Sequence, residues 1–236
     1  MTLVSLFVIT GCKKEDNVQP IENYEPLNGL FSVSPTQQVH FASGNLEYDS
    51  IYHFARNQYD YGGYFGWGSG NHPADTSVSN ADYAVFVDWG SYLGDGWRTL
   101  SAEEWQYVLF DRPDATTKCG GAFVCQVPGM ILLPDDWDES ATPAFHAGFE
   151  QNWSTNTFDT ATWNQMEAAG AVFLPASSYR DGSQVYYVGM FGLYWSSTPR
   201  DEEKAYDVSF YFSQVLMFEN GDERELGLSV RLVQNC

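Results

Sequence analysis

The last third of the chain alternates short apolar or aromatic runs with turn-forming residues, and this pattern constrains the fold more than any other feature. The runs are rich in valine, phenylalanine and tyrosine, which favour strands. They predict strands over residues 171–174, 185–188, 206–212, 214–218 and 228–233. Asn220-Gly221 lies between the last two runs and indicates a hairpin turn. We therefore expect an antiparallel meander in this part of the chain.

Two short helices are predicted ahead of the meander. Ser101 and Glu104 have the spacing of a capping box, in which each side chain accepts a hydrogen bond from a free backbone N–H group of the first turn. The pattern that follows predicts a helix over residues 102–111. A second helix is predicted over residues 160–169, because Gly170 stands where a left-handed residue commonly ends a helix.

The segment before the first helix also has strand patterns. Residues 38–43 alternate polar and apolar side chains, and residues 45–54 are expected to form the second strand of an opening hairpin after a turn at Gly44. No proline-rich or low-complexity break occurs, so we assign residues 24–236 to a single domain. These elements predict the α+β class, with two short helices packed on antiparallel sheets.

The composition limits the partners of the chain. Its 236 residues include 31 acidic residues and 11 lysines and arginines, which gives a formal net charge of −20. Such a charge repels phosphate backbones and excludes nucleic acid as a partner. Aromatic residues make up 17% of the chain and charged residues only 18%, below the usual share of about 25%. This composition suggests an aromatic-packed extracellular domain.

The amino-terminal residues indicate export. An apolar run over residues 3–9 ends in Thr10-Gly11-Cys12 and is shorter than the roughly 20 apolar residues of a membrane-spanning helix. This run resembles a bacterial lipobox. The resemblance implies a signal peptide over residues 1–11, a lipidated Cys12 and a polar tether over residues 12–23. No lysine or arginine precedes the run, and a buried strand with an incidental cysteine is the alternative.

The lipobox resemblance also implies a location. A lipidated Cys12 would make the protein an outer-membrane lipoprotein, at the cell surface or otherwise in the periplasm, that touches the membrane only through its anchor. Residues 14–16 resemble the acidic export signal of some Bacteroidetes surface lipoproteins.

Three further cysteines follow, and two of them are close in sequence. Cys119 and Cys125 flank a Gly-Gly pair that allows the segment to turn back on itself, and an exported protein meets conditions that permit disulfides. We therefore expect a Cys119–Cys125 disulfide, with two separate buried thiols as the alternative. None of the four histidines has zinc-ligand spacing with these thiols.

Several motifs carry a family resemblance. Residues 96–105 (GWRTLSAEEW) resemble the G-W-R-L-P-T-x-x-E-W element of the formylglycine-generating-enzyme-like, C-type-lectin-like superfamily. Residues 192–198 (GLYWSST), Ala205-Tyr206 and residues 227–231 (GLSVR) resemble the ending of the Fibrobacter succinogenes major paralogous domain and of many Bacteroidetes surface lipoproteins. The resemblance covers residues 31–233 and implies a C-type-lectin-like fold, which hosts catalysts, lectins and receptors.

The motifs of the catalytic branch are absent. Formylglycine-generating enzymes bind copper through a late pair of cysteines, whereas only Cys236 follows Cys125 here. An iron-dependent relative would need a histidine cluster, and the four histidines are scattered over separate segments: His40, His53, His72 and His146. We therefore predict no catalytic residue and no cofactor.

Calcium binding of the lectin type also lacks its motifs. The triplets Glu-Pro-Asn, Gln-Pro-Asp and Trp-Asn-Asp, which present calcium to sugars, do not occur. Acidic clusters lie at residues 135–139, 201–203 and 222–225. Structural calcium at these turns is the alternative to solvated acidic turns, which the charge of the chain favours. We assign no metal ligand.

The matching motifs divide into structural and binding residues. The residues expected to be structural are Glu104, Trp105, Trp195 and Arg231, with an ion pair between Glu104 and Arg231. In related retroelement-diversified receptors the late part of the fold displays the ligand-contacting side chains. This resemblance makes the binding candidates Tyr194, Tyr206, Ser209, Tyr211, Ser213 and Gln214. Strand alternation turns about half of such residues inward.

The sequence therefore predicts a lipid-anchored cell-envelope binding protein without catalytic activity. Tyrosine, serine and glutamine provide rigid contact area and adaptable hydrogen bonds, and the predicted ligand is a neutral glycan or the surface of a protein. The alternatives are a divergent formylglycine-generating-type enzyme and a structural subunit of a fimbria or adhesin.

Overall fold

Short strands form most of the regular structure, and two short helices lie among them. The computed structural model describes residues 25–94, 96–139, 143–148, 153–211, 214–217 and 220–236. Cys12, the predicted signal peptide, the tether and Ser213 lie outside the described residues. The described chain is a mixed α+β structure with mostly antiparallel sheets, which confirms the predicted class.

The elements of the described chain follow one another with short connections. The helices are α1 (Ala102–Gln106) and α2 (Thr160–Ala168). The strands are β1 (Phe31–Ser32), β2 (Gln38–Phe41), β3 (Leu46–Tyr48), β4 (Tyr52–Phe54), β5 (Trp97–Thr99), β6 (Cys119–Val124), β7 (Val127–Leu132), β8 (Thr157–Phe158), β9 (Val172–Pro175), β10 (Tyr179–Asp181), β11 (Gln184–Tyr186), β12 (Gly192–Pro199), β13 (Lys204–Tyr211), β14 (Gln214–Met217), β15 (Asp222–Glu223) and β16 (Leu232–Asn235).

Three larger sheets and two hairpins result from the strand pairing. The first sheet has the order β1-β2-β16-β5, and the second has the order β8-β6-β7-β9. The third sheet has the order β12-β13-β14, with β15 also paired to β13. β3 pairs with β4, and β10 pairs with β11. All of these pairs are antiparallel except β6 with β8.

Local signals set both helices. The Ser101 hydroxyl accepts from the Glu104 N–H group at 3.1 Å, and the Glu104 carboxylate accepts from the Ser101 N–H group at 2.8 Å, so the capping box forms. A π-helical turn over Tyr107–Asp111 continues α1 and completes the predicted helical span. Gly170 follows α2 with φ of 92°, the left-handed conformation predicted for its position.

The core contains most of the tryptophans. Phe41 of β2, Trp105 of α1 and Phe210 of β13 belong to one cluster of buried residues, which links the first helix to two sheets. A second cluster includes Trp97 and Trp195. Large aromatic side chains fill the space between short strands, which explains how a chain with little helix buries a large core.

Two predicted hairpins are wrong because their strands pair with partners other than the expected ones. β2 pairs with β1 and β16, while residues 45–54 form a separate hairpin, β3–β4. Residues 214–217 and 222–223, on either side of Asn220-Gly221, do not pair with each other, since both β14 and β15 pair with β13. The last predicted strand also begins late: regular pairing starts at Leu232, and Leu228 and Ser229 make isolated bridges.

Candidate functional site: the tyrosine face

Tyr194, the first predicted ligand residue, is a core side chain. It is fully buried, and its ring stacks against that of Phe210 at 6.1 Å. Its hydroxyl donates to the Pro175 carbonyl at 2.9 Å and accepts from the Asn45 amide at 3.0 Å. Burial raises the pKa of this phenol, so the hydroxyl stays protonated. The prediction that Tyr194 contacts a ligand is wrong, because its position on β12 faces the core.

The candidates near the β13–β14 connection are half-buried. Tyr206, Ser209 and Tyr211 each lie next to buried positions of β13. The Ser209 hydroxyl donates to the Asp207 carboxylate at 3.0 Å and is therefore engaged within the strand. The Gln214 amide donates to the Tyr211 hydroxyl. These contacts leave the Tyr211 ring as the candidate that connects to a larger surface.

Tyr211 lies at one end of a continuous group of aromatic rings. The other rings come from the β10–β11 hairpin and from the segment that leads into β12. We call the whole group the tyrosine face; its members are Tyr179, Tyr186, Tyr187, Phe191 and Tyr211.

The ring contacts cross the face without a gap. Tyr179 and Tyr186 are directly opposite in the β10–β11 hairpin, and their rings stack with centroids 5.6 Å apart and planes at 27°. The Tyr187 ring lies 6.1 Å from that of Tyr186 and 6.0 Å from that of Phe191. The Phe191 ring lies 6.0 Å from that of Tyr211. The five rings therefore form one continuous aromatic surface.

Much of this surface is open to solvent. Tyr186 is 39% exposed and Tyr187 is 55% exposed. Val185, Val188 and Met190 are also exposed in this part of the chain, although Val185 is opposite Arg180 in the hairpin and so lies on the other side from Tyr186. Single exposed apolar residues are normal in soluble proteins, whereas contiguous exposed groups are typical of interaction sites, which makes the tyrosine face a candidate site.

The hairpin offers no cation to a ligand. Arg180 of β10 is almost completely buried and donates to the carbonyls of Gly182 and Asp75. Asp181, at the hairpin end, is exposed. Burial raises the pKa of Tyr179, with further increases from Tyr187, Tyr186 and Asp181. The surroundings of the tyrosine face are therefore neutral to acidic at pH 7.

Four of the five members of the tyrosine face are not among the binding residues predicted from the sequence. Residues 185–188 are predicted as a strand, but nothing in a run of consecutive apolar residues says which side is buried. The signal that could have revealed their exposure is the shortness of the apolar run, which is confined between Gly182 and Gly189. A hairpin this short, with no alternation of polar and apolar residues, cannot bury both of its faces.

The residues expected to be structural lie in or beside the core, with one pairing corrected. Trp105 and Trp195 are buried, and the Trp195 indole donates to the Phe65 carbonyl at 2.7 Å. The expected ion pair between Glu104 and Arg231 does not form. Both oxygens of the Glu104 carboxylate accept instead from Arg98 on β5, each at 2.7 Å.

Arg231 binds neutral oxygens in place of Glu104. It is 1% exposed and donates to the Asn45 side chain at 3.0 Å, the Ala42 carbonyl at 3.0 Å and the Phe173 carbonyl at 2.6 Å. Burial lowers the pKa of this guanidinium to about 10, so the side chain remains charged at neutral pH. Arg231 is thus a buried charge held by hydrogen bonds rather than by a carboxylate.

The expected Cys119–Cys125 disulfide is absent, and both residues are free thiols. Gly120-Gly121 forms no turn but continues β6, which pairs with β7 along its whole length. Five steps of about 3.3 Å separate the Cα atoms of Cys119 and Val124 by roughly 16 Å, and a disulfide allows at most about 7 Å. The turn comes at Cys125 and Gln126, which have φ of 50° and 71°.

The acidic clusters are partly satisfied within the chain. Asp135 forms an ion pair with Arg112 at 3.0 Å, and Asp201 accepts from the N–H groups of Glu203 and Lys204 at 2.9 and 2.8 Å. Across the described residues, no group of three or more histidine, cysteine, aspartate or glutamate side chains is arranged to hold a metal ion.

Comparisons with known proteins add no relative. No protein-family model, curated protein or solved structure matches the chain. Among the helices of the described chain, none has the length and apolar character needed to cross a membrane.

Proposed function

We propose that the chain is a lipid-anchored binding protein of the cell envelope, without catalytic activity, whose C-type-lectin-like domain recognises a glycan or a surface protein through the tyrosine face. The exposed and continuous ring contacts of this face carry the proposal. Tyrosine suits such a role because it offers a large apolar ring and a polar hydroxyl at a low cost in conformational entropy.

The charge of the face supports a neutral ligand. Arg180 is turned inward, and Asp181 is the charged residue exposed at the hairpin end. An anionic ligand would lack a partner there and would meet the overall charge of −20. Neutral sugars can stack on the rings and bind the hydroxyls, and an aromatic or apolar protein surface can pack against the same rings.

The cysteines support a binding role over the enzyme alternative. A copper site of the formylglycine-generating type needs two adjacent thiolates. Cys119 is buried beside the Ala115 carbonyl, and burial raises the pKa of its thiol to about 11. Cys125 lies beyond the other end of β6, at the hairpin turn. These two thiols therefore cannot share a metal ion.

The tyrosine face is tested by single alanine substitutions in the purified full chain. Tyr186→Ala and Tyr187→Ala should each weaken binding at least tenfold, because they remove exposed rings from the contact area. The probes are an array of neutral and acidic oligosaccharides and a panel of purified envelope proteins. A detergent without a sugar head group avoids competition with the glycans.

Phe110→Ala is the matched control, since Phe110 is an aromatic residue that is also 39% exposed but lies in the turn after α1. It should retain full affinity. If a ligand is found and both tyrosine variants bind it as well as the parent chain does, the binding surface lies elsewhere.

The anchor is proposed from residues outside the described chain. We expect Cys12 to be the mature amino terminus and to carry lipid. Intact-mass analysis of the chain from a membrane fraction measures this directly, and Cys12→Ser should release the protein into the soluble fraction. An unmodified peptide that runs through Gly11 and Cys12 would contradict the proposal.

A further inference from the structure

A second aromatic site lies away from the tyrosine face, in a cleft between the β3–β4 hairpin and two loops. The cleft has a volume of about 340 Å³. Its lining residues are Tyr48, Ser50, Ile51, Tyr52, Gly70, Asn71, Pro73 and Tyr92. The volume falls at the lower end of the range for small-molecule sites, about 300 to 1,000 Å³, which leaves room for one small ring or the end of a chain.

Three tyrosines form its walls. Tyr48 and Tyr52 are directly opposite in the hairpin, with ring centroids 5.1 Å apart. Tyr92 comes from the single helical turn at Trp89–Tyr92, and its ring lies 5.5 Å from that of Tyr52. The Tyr52 hydroxyl donates to the Gly70 carbonyl at 2.8 Å, which ties the floor of the cleft to the opposite loop.

The walls are accessible although the floor is buried. Tyr48 is 39% exposed and Tyr92 is 52% exposed, whereas Tyr52 is 8% exposed. The rings at the rim can therefore stack on a ligand without any rearrangement of the core. Ile51, which is 54% exposed, adds apolar surface at the hairpin tip.

The polar groups of the cleft are neutral. None of its eight lining residues carries a charge, although the chain has a net charge of −20. Asn71 is exposed and places its amide at the cleft. The nearby carboxylates of Glu47 and Asp49 lie 3.5 and 3.4 Å from the ring nitrogens of His53. The cleft therefore offers aromatic faces, an amide and hydroxyls, but no ionic partner.

We propose that this cleft binds one neutral pyranose ring, as a monosaccharide or the end of a neutral glycan. A pyranose has an apolar face of C–H groups and an edge of hydroxyls, which matches aromatic walls with an amide at the rim. An anionic ring finds no ion-pair partner in a lining without charges and meets the net charge of −20. The proposal is independent of the tyrosine face, because the two sites share no residue.

The test is a titration of the full chain with small sugars. The chain carries ring-labelled tyrosine, and nuclear magnetic resonance monitors the tyrosine signals during the titration. The probes are the methyl glycosides of glucose, galactose and mannose, and N-acetylglucosamine. At least one of these should shift the Tyr48 and Tyr92 signals with a Kd on the order of 1 to 10 mM, as expected for so small a ligand. Glucuronate and choline serve as the acidic and cationic counterparts, and both should bind more weakly.

Variants at the rim locate the site. Tyr92→Ala should abolish the saturable shifts of the Tyr48 signals, because it removes one wall, whereas Tyr92→Phe keeps the ring and should stay within about threefold of the parent affinity. Phe110→Ala, which lies outside both aromatic sites, should leave the titration of the Tyr48 and Tyr92 signals unchanged. Tyr48→Ala repeats the test if Tyr92→Ala alters the amide spectrum of the folded protein.

Four results would overturn the proposal. The first is an absence of shifts with every neutral sugar at about 100 mM, well above the expected Kd. The second is shifts that survive in the alanine variants. The third is equal or tighter binding of glucuronate or choline, and the fourth is tighter binding of a proline-rich peptide. The last result would assign the cleft to peptide recognition, which aromatic grooves also perform.

Discussion

At the scale of single residues, a buried pair of carboxyl groups has a measurable effect. Asp207 on β13 is fully buried, and its Oδ1 atom has no hydrogen-bond partner within the described chain. Burial raises its pKa well above the usual value, and the nearby Asp222 raises it further. Burial raises the pKa of Asp222 to about 6, while Lys204 opposes the increase.

These two groups predict that stability falls as the pH rises. A carboxyl group with a raised pKa in the folded state binds a proton more tightly there than in the unfolded chain, so it stabilises the fold at low pH. For Asp222 this contribution is present below pH 4 and is lost between about pH 4 and 6. Asp207→Asn should flatten this dependence and raise the free energy of unfolding at pH 8, because the uncharged amide avoids the cost of burying a carboxylate.

Urea unfolding at several pH values between 4 and 8 measures the effect, with Asp136→Asn as the control at an exposed aspartate. The control should follow the parent curve throughout. An Asp207→Asn curve parallel to that of the parent would show that Asp207 stays ionised in the folded protein.

At the scale of elements, the sequence predicted those parts that are set by neighbours along the chain. The capping box, the end of α2 at Gly170 and the extent of both helices are confirmed because each depends on contacts within a few residues. The strand pairings are not local. β2 and β16 are neighbours through residues far apart in sequence, and no turn signal carries that information.

The positions of the cysteines on and near β6 predict which thiols react with an alkylating reagent. In native protein kept free of reductant, an alkylating reagent should label Cys125 and Cys236 and leave Cys119 unlabelled until the chain unfolds. Cys119 is 5% exposed, whereas Cys125 is half-buried and Cys236 is exposed. Only the thiolate reacts, and burial raises the pKa of Cys119 to about 11. Peptide mapping by mass spectrometry distinguishes this pattern from a Cys119–Cys125 disulfide, which would protect both residues.

At the scale of the whole molecule, Arg231 links separate parts of the core. Its guanidinium joins the Ala42 carbonyl beyond β2 to Phe173 on β9, and Asn45 continues the network to Tyr194 on β12. The hydrogen-bond network of this buried arginine connects three sheets and helps to fix their relative positions. A different arrangement would leave buried acceptors unpaired, which costs free energy of folding. The sequence identified Arg231 as structural but assigned it the wrong partner, because its true acceptors are backbone carbonyls and an amide.

The candidate site was predictable in composition but not in position. A tyrosine-rich binding surface was expected on the last sheet; Tyr211 belongs to the tyrosine face, and Gln214 donates to the Tyr211 hydroxyl. Tyr194 was misplaced because the sequence cannot say which side of β12 is covered. Tyr186 and Tyr187 were missed because their exposure depends on the separation of the β10–β11 hairpin from the larger sheets.

The pairing of β2 with β16 bears on how the chain acquires its structure. β16 lies between β2 and β5 in the first sheet, so both strands lack their shared neighbour until β16 itself has been made. Pairing β2 with β16 closes a loop that contains all the chain between them. Closing so long a loop is slow, and contacts of high sequence separation delay folding. The first sheet therefore cannot be completed during synthesis before β16 has emerged, whereas a local hairpin such as β3–β4 does not need that strand.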